Sequence, residues 1–145
     1  MLKDQSDILE ATLILGPISL QADNVPVEID LDGYSGATIL IAVGIGGITF
    51  DPTNKIEFVM THTDTSGADY AAVAAADVHG VTPGVTGIVK SLVAAHAAAT
   101  ITEFGYIGRK RYIKILADFS GTHGSATPIC IMVVKGYPNE VAIPD

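Results

Sequence analysis

Two histidines and one aspartate are the residues of this sequence whose types and spacing best fit catalytic chemistry. His62 and Asp64 form a His-x-Asp pattern, and His123 lies much further along the chain. Two imidazoles and one carboxylate make the facial triad that holds Fe(II) in non-haem oxygenases and leaves positions open for substrate and oxygen. Lys135 could then anchor an acidic cosubstrate. This pattern predicts an iron-dependent jelly-roll oxygenase as one alternative function.

The local sequence around these three residues weighs against a metal site. His-x-Asp is short and arises often by chance, and Asp64 begins an Asp-Thr-Ser-Gly stretch in which aspartate typically caps a turn. His123 stands in a loop rich in glycine and serine, whereas a metal ligand needs rigid support. We therefore predict that the chain is not an enzyme and binds no metal or cofactor.

Other catalytic patterns are missing from the sequence. It contains no Gly-x-Ser-x-Gly elbow, and no Lys-Ser/Thr follows the Gly44-x-Gly-Gly turn, as a phosphate-binding loop would require. Cys130 is the only cysteine and lies in an apolar run, residues 128–134. We predict that it is a buried small hydrophobe rather than a nucleophile.

Charge is distributed unevenly along the chain, whose formal net charge is -8. Residues 1–77 carry twelve acids and two bases, while the remainder carries four acids and six bases. Four of those bases form one cluster: Arg109, Lys110, Arg111 and Lys114. We predict that this cluster contacts an acidic partner surface; the alternative is a solvated hairpin turn paired with the chain's own acids. Overall acidity argues against nucleic-acid binding.

Strand patterns dominate the chain. Residues 25–32, 55–63 and 112–119 alternate apolar with polar side chains, as half-buried strands do. In residues 38–43 the side chains that would point to either side of a strand are apolar, which predicts a strand covered on both sides. Residues 101–107 and 129–135 complete a series of short strands separated by turn signals. The sequence therefore predicts an all-β fold, an antiparallel β-sandwich of jelly-roll type.

Domain organisation follows from length and the absence of a linker. A chain of 145 residues fits one domain, 1–145, with extended arms over about residues 1–10 and 137–145. Two alanine-rich stretches, 70–78 and 92–100, have good helix propensity within a strand-rich context. The first is left open between helix and strand, and the second favours helix. No stretch predicts a signal peptide or a membrane helix, since the apolar run 37–50 is short and broken by glycines.

Three blocks of the sequence resemble a family of small tailed-phage decoration (cement) proteins. The first is Gly36-Ala-Thr-Ile-Leu-Ile-Ala-Val before a glycine turn. The second is Lys55-Ile-Glu-Phe-Val-Met-Thr-His-Thr-Asp, followed by an Ala/Val segment ending Ala76-Asp-Val. The third runs from Tyr106-Ile-Gly-Arg-Lys-Arg-Tyr-Ile-Lys through a glycine-rich turn and residues 129–134 to Lys135-Gly-Tyr-Pro.

This resemblance implies a jelly-roll-like virion structural protein, made in the host cytoplasm, that binds the outside of a capsid. It would stabilise the shell by bridging neighbouring capsomers. Its partners would be the major capsid protein and further copies of itself, as a dimer or trimer, without nucleic acid or membrane. Residues 11–15 and the C-terminal tail would serve as binding arms. A carbohydrate- or receptor-binding sandwich is a further alternative, although the chain has no tryptophan.

Overall fold

The structure, a computed structural model, describes residues 5–138. Ten β-strands and two short 3-10 helices, Ser6–Ile8 and Ala75–Asp77, make up its regular structure. The strands are β1 (Leu9–Leu20), β2 (Ile29–Asp30), β3 (Tyr34–Val43), β4 (Lys55–Thr63), β5 (Ala71–Ala72), β6 (Val78–His79), β7 (Ile88–Leu92), β8 (Thr100–Tyr106), β9 (Tyr112–Ser120) and β10 (Thr127–Pro138).

The strands form two antiparallel sheets packed face to face. The first sheet has the order β1-β10-β3-β8-β6, and the second has the order β2-β9-β4-β5, with β7 also pairing with β4. Both β5 and β7 lie beside β4. If they are counted as one strand position, the order of the strands in the two sheets is that of a jelly roll. The predicted all-β sandwich is therefore confirmed, including its jelly-roll type.

Alternation along the long strands builds the core between the sheets. In β4 and β9 the inward side chains from Ile56 to Met60 and from Ile113 to Ala117 are fully buried, while their neighbours in sequence are only partly covered. The same period of two places alternate residues of β3 and β10 in the core. The most deeply buried inward side chains are Ile39, Ile41, Ile56, Phe58, Met60, Ile113, Ile115, Ala117, Ile131 and Val133.

The predicted strand over residues 25–32 is wrong in its first half. Only Ile29–Asp30 pairs with β9, and Val25 is 88% exposed. The segment before β2 is instead attached through side chains: the Ala117 N–H donates to Asn24 Oδ1 at 2.7 Å, and the Phe119 N–H donates to Asp23 Oδ1 at 2.7 Å. These bonds occupy the β9 groups that a longer strand would have used.

Neither alanine-rich stretch forms an α-helix. Residues 70–78 contain β5, a 3-10 turn and the start of β6, and residues 93–99 have no helix or strand, so the helical prediction for the second stretch is wrong. Alanine side chains bury too little apolar area to hold a helix against a sheet, and strand pairing on either side fixes the path. In the first stretch Val73 and Val78 enter the core, at 2% and 4% exposure.

The ends of the chain and one connection also differ from expectation. Residues 9–10 of the predicted N-terminal arm belong to β1, and the predicted arm segment 11–15 is part of that edge strand, paired with β10. Tyr137 and Pro138 end β10, whereas 1–4 and 139–145 lie outside the described residues. The segment 108–111 is not a hairpin turn, because β8 and β9 lie in different sheets and the chain crosses between them.

Candidate interaction surface

The structure does not bring the candidate iron ligands together. His62 lies opposite Ile113 in the β4–β9 ladder, whereas Lys55, at the other end of β4, lies opposite Ser120. His123 follows Ser120, and its Nε2 lies 2.9 Å from the Ser120 carbonyl oxygen. The seven residue steps from Lys55 to His62 span about 23 Å of strand. His62 and His123 therefore lie at opposite ends of the second sheet.

Each of the three residues has a structural role where it stands. His62 is buried, with Nδ1 2.9 Å from Tyr106 Oη, and His123 packs edge-on against Phe119. Asp64 accepts a hydrogen bond from Lys110 Nζ at 2.7 Å. Thr63, rather than Asp64, closes the following turn, since its Oγ1 accepts from the Thr65 N–H. The facial-triad hypothesis is therefore wrong in its geometry.

Among residues 5–138, no three His, Cys, Asp or Glu side chains are grouped as metal ligands. Lys135, the suggested cosubstrate anchor, forms an ion pair with Glu10 at 2.7 Å, which lowers the pKa of that carboxyl. The same part of the chain contains no helix with the length and apolarity needed to cross a bilayer.

Two cations of the basic cluster are paired with acids from the first half of the chain. Arg111 donates to both oxygens of Asp30, at 2.9 and 2.8 Å, and lies 3.5 Å from Asp32. Lys110 pairs with Asp64. The Arg111 guanidinium lowers the pKa of Asp30, and the Lys110 ammonium does the same for Asp64. The chain's own acids thus neutralise part of the cluster, as the alternative interpretation predicted.

The other two cations of the cluster differ from each other. The Lys114 ammonium lies 3.6 Å from the centre of the Tyr70 ring, in a cation–π contact on the outer side of the second sheet. Arg109 is exposed and makes no hydrogen bond or ion pair with the described residues. It lines a cleft of about 250 Å³, here called the Arg109 cleft, between residues 31–37 and the segment around 106–111. Arg109 is therefore the member of the cluster available to a partner.

This difference between two neighbouring arginines gives a first testable prediction. Arg111→Glu should lower the urea midpoint of unfolding, because it places a carboxylate against Asp30 and Asp32. Arg109→Glu, with the same change of net charge, should leave the midpoint unchanged. Chemical denaturation of both variants beside the parent protein measures this. Equal midpoints for all three proteins would show that the Arg111 pairs contribute nothing to stability.

The outer side of the first sheet is the second surface of interest, and it is apolar. The outward residues of β10 and β3 carry no charge: alternate positions from Cys130 to Gly136 lie opposite alternate positions from Ala42 to Gly36. On one side β1 adds further apolar side chains; on the other, β8 adds Ile101 but also the exposed Glu103, which lies opposite Leu40. We call this surface the apolar face and define it by Leu9, Ala11, Leu13, Thr38, Leu40, Ala42, Ile101, Pro128, Cys130, Met132, Val134 and Tyr137.

No other element among residues 5–138 covers the apolar face. Leu13 is 51% exposed, Ile101 70% and Tyr137 78%. The Tyr137 ring lies over Gly36, where a Cβ would come within 3.1 Å of Tyr137 Cδ2. Beyond Ala42 the face contains a shallow apolar hollow of about 140 Å³, lined by Pro17, Ile18, Ala42, Gly44, Pro128, Ile129 and Cys130. Exposed apolar patches of a few hundred Å² are often functional.

The second sheet provides an internal comparison, because its outer side is charged. The two central strands β4 and β9 present Lys55, Glu57, Lys114 and Asp118 outward. Lys55 and Glu57 form an ion pair at 2.8 Å. Both sheets have a buried inner side, so the difference lies only in what they present to their surroundings. The second sheet is built to face water, whereas the first is not.

Sequence reasoning did not single out the apolar face, although a signal was present. Residues 38–43 and 128–134 carry apolar side chains at successive positions, and the first run predicts a strand covered on both sides. The structure supplies one of those covers, the second sheet. Cys130, predicted to be buried, is only partly buried and lies on the uncovered side. The described part of the chain provides no second cover, so the outer side of β3 is left to a partner or to water.

Comparison with known proteins leaves the function open. No protein-family profile matches the chain, and no curated protein sequence matches it significantly. Among solved structures, a chain of infectious bursal disease virus, Gx strain, matches with 12% identity and a TM-score of 0.24. The match covers 90% of this chain but only 40% of that one. A similarity this low identifies neither a related fold nor a function.

Proposed function

We propose that this protein is a virion structural protein that binds the outside of a phage capsid and stabilises it by bridging neighbouring capsomers. The observation that carries the proposal is the apolar face, which needs a protein partner to cover it. The resemblance of the sequence to decoration proteins supplies the kind of partner, the major capsid protein together with further copies of this chain.

The Arg109 cleft supports the same proposal through charge. Arg109 has no acidic partner among the described residues and stands beside pairs that hold Lys110 and Arg111 in place. A free cation on an otherwise acidic protein suits a contact with an acidic surface, and such contacts act mainly on association rate and salt response. Because a shell repeats each contact many times, weak contacts sum to stable decoration.

The test is co-sedimentation with undecorated capsids assembled from the major capsid protein encoded in the same genome. The parent protein should bind at low salt in a fixed ratio to capsid subunits and should raise the temperature at which the shells break down. A parent protein that stays in the supernatant at micromolar concentration would refute the proposal.

A charge reversal tests the contribution of the Arg109 cleft. Arg109→Glu should weaken capsid binding several-fold at low salt and much less at high salt, because screening removes the charge contact. Lys90→Glu on β7 is the matched control, since it changes the net charge equally on the second sheet, far from the cleft. Equal binding by the two variants would show that Arg109 is only solvated.

A further inference from the structure

We infer that the apolar face binds a second copy of this chain, with the first sheets of the two copies packed face to face about a two-fold axis. This inference rests on the proposed protein-binding function and assigns one of its two partners to a surface. It leaves the Arg109 cleft, at the end of the sandwich, for the capsid.

Charge is the first reason for choosing a second copy. Each copy has a net charge of -8, so two copies repel each other in most orientations. The outward positions of β10 and β3 carry no charged residue, and Glu103 on β8 lies to one side of them. Two copies therefore approach with least repulsion through this face. Apolar surfaces are also self-complementary, which a two-fold contact requires.

The size of the apolar face is the second reason. Four adjacent strands, β1, β10, β3 and β8, are about 19 Å wide, and the nine residues from Pro128 to Gly136 are about 27 Å long. Covering this rectangle of about 500 Å² on both copies, with Glu103 at its β8 margin, removes about 1,000 Å² from water. This area reaches the minimum expected of a biological interface and suits a reversible one.

The shape of the apolar face fits sheet-on-sheet packing. Small residues at Gly36, Ala42 and Gly105 alternate with larger ones at Leu40 and Met132, so that side chains of one copy can fit between those of the other. The hollow beside Ala42 and Pro128 is large enough for a leucine side chain. Leu13, on the edge strand, is exposed and of the right size to fill it.

Edge-to-edge pairing through β1 is the competing way to join two copies, and the structure disfavours it. The β1–β10 ladder has register shifts between Leu13 and Leu15 and between Leu15 and Ile18. Pro17 lies in the second of these and has no N–H to donate to another strand. Bulges and prolines are the features by which natural edge strands avoid pairing with a neighbour.

The experiment compares the same substitution on the two outer faces. Leu40 and Met132 are opposite each other at the centre of the first sheet, and Val59 and Leu116 are opposite each other on the outer side of the second. Sedimentation equilibrium should show a dimer for the parent protein and for Leu116→Glu. Met132→Glu should weaken dimerisation by about 100-fold or more, because two-fold symmetry desolvates two unpaired carboxylates. Circular dichroism and thermal melting should show that both variants are folded.

Cys130 provides a second measurement that needs no variant. It is the only thiol of the chain and lies on the apolar face. Its reaction with a bulky maleimide should slow as the protein concentration rises through the dimer dissociation constant. A rate that is independent of concentration, while the protein is dimeric by sedimentation, would place the contact elsewhere and overturn the inference.

The remaining outcomes separate this inference from the proposed function. The face-to-face dimer is overturned if the parent protein is a monomer at about 100 µM or forms a trimer. It is also overturned if the Met132→Glu variant is still a dimer. If the parent is monomeric and Met132→Glu abolishes co-sedimentation with capsids, the apolar face binds the capsid, and only the inference fails. If the parent forms the dimer but does not bind capsids, the inference stands and the proposed function fails.

Discussion

Replacing Phe58 with alanine is expected to lower the free energy of unfolding by about 3–5 kcal/mol, the usual cost of removing a buried aromatic ring. Phe58 is fully buried on the inward side of β4, and directly opposite it on β9 stands Ala117, also fully buried. The small alanine leaves room for the ring. In the Phe58→Ala variant both opposed residues are small, so the neighbouring strands cannot fill the cavity.

The measurement is urea unfolding of the parent, Phe58→Ala and a control, Leu116→Ala. Leu116 lies on the same two-strand ladder but faces outward, so its truncation removes much less buried area. The control should therefore unfold close to the parent. Comparable losses in the two variants would contradict the assignment of inner and outer sides on which the apolar face depends.

The free energy of unfolding is expected to fall between about pH 10 and pH 12 because of the buried hydroxyl of Tyr106. Its side chain is 3% exposed, and burial raises the pKa of its hydroxyl to about 12, above the usual value of about 10. In the unfolded chain the hydroxyl ionises near pH 10, whereas in the folded chain it keeps its proton. The stabilisation is fully present below pH 10 and is lost as the pH rises through 12, by about 3 kcal/mol in all.

The variant Tyr106→Phe isolates this contribution from other groups that titrate at high pH. At pH 8 it should be less stable than the parent, because the His62 imidazole and the Lys110 N–H both lose their contact with the Tyr106 hydroxyl. Between pH 10 and 12 its stability should fall less steeply. Some slope should remain, since burial also raises the pKa of Tyr70. Parallel profiles of the parent and the variant would refute the role given to Tyr106.

The two outer faces of this sandwich differ in the surroundings that suit them. The second sheet presents charged pairs and remains compatible with water, whereas the first presents a surface that a partner has to cover. The Arg109 cleft lies at one end of the sandwich, beside the segment that crosses between the sheets. A dimer joined through the first sheets would thus leave two Arg109 clefts free for contacts with a shell.

The sequence by itself determined the fold class and the long central strands. Residues 55–63 and 112–119 alternate with a period of two, and the structure shows β4 and β9 there, with Ile56, Phe58, Ile113 and Ile115 inward as the pattern requires. This information is local, because the inner and outer sides of a strand alternate whichever strand lies beside it. The sequence also indicated the weakness of the iron site, since Asp64 and His123 lie in turns.

Only the tertiary structure decided which residues meet. The distance between His62 and His123, the pairing of Arg111 with Asp30 and the exposure of Val25 depend on strand order and register across long sequence separations. The apolar face depends on the same contacts. The sequence of residues 38–43 indicates that both sides of β3 are apolar. It does not indicate whether other parts of this chain cover both sides. That question is settled by the number of layers, which is a property of the whole fold: two sheets give each strand one covered side and leave the other to a partner or to water.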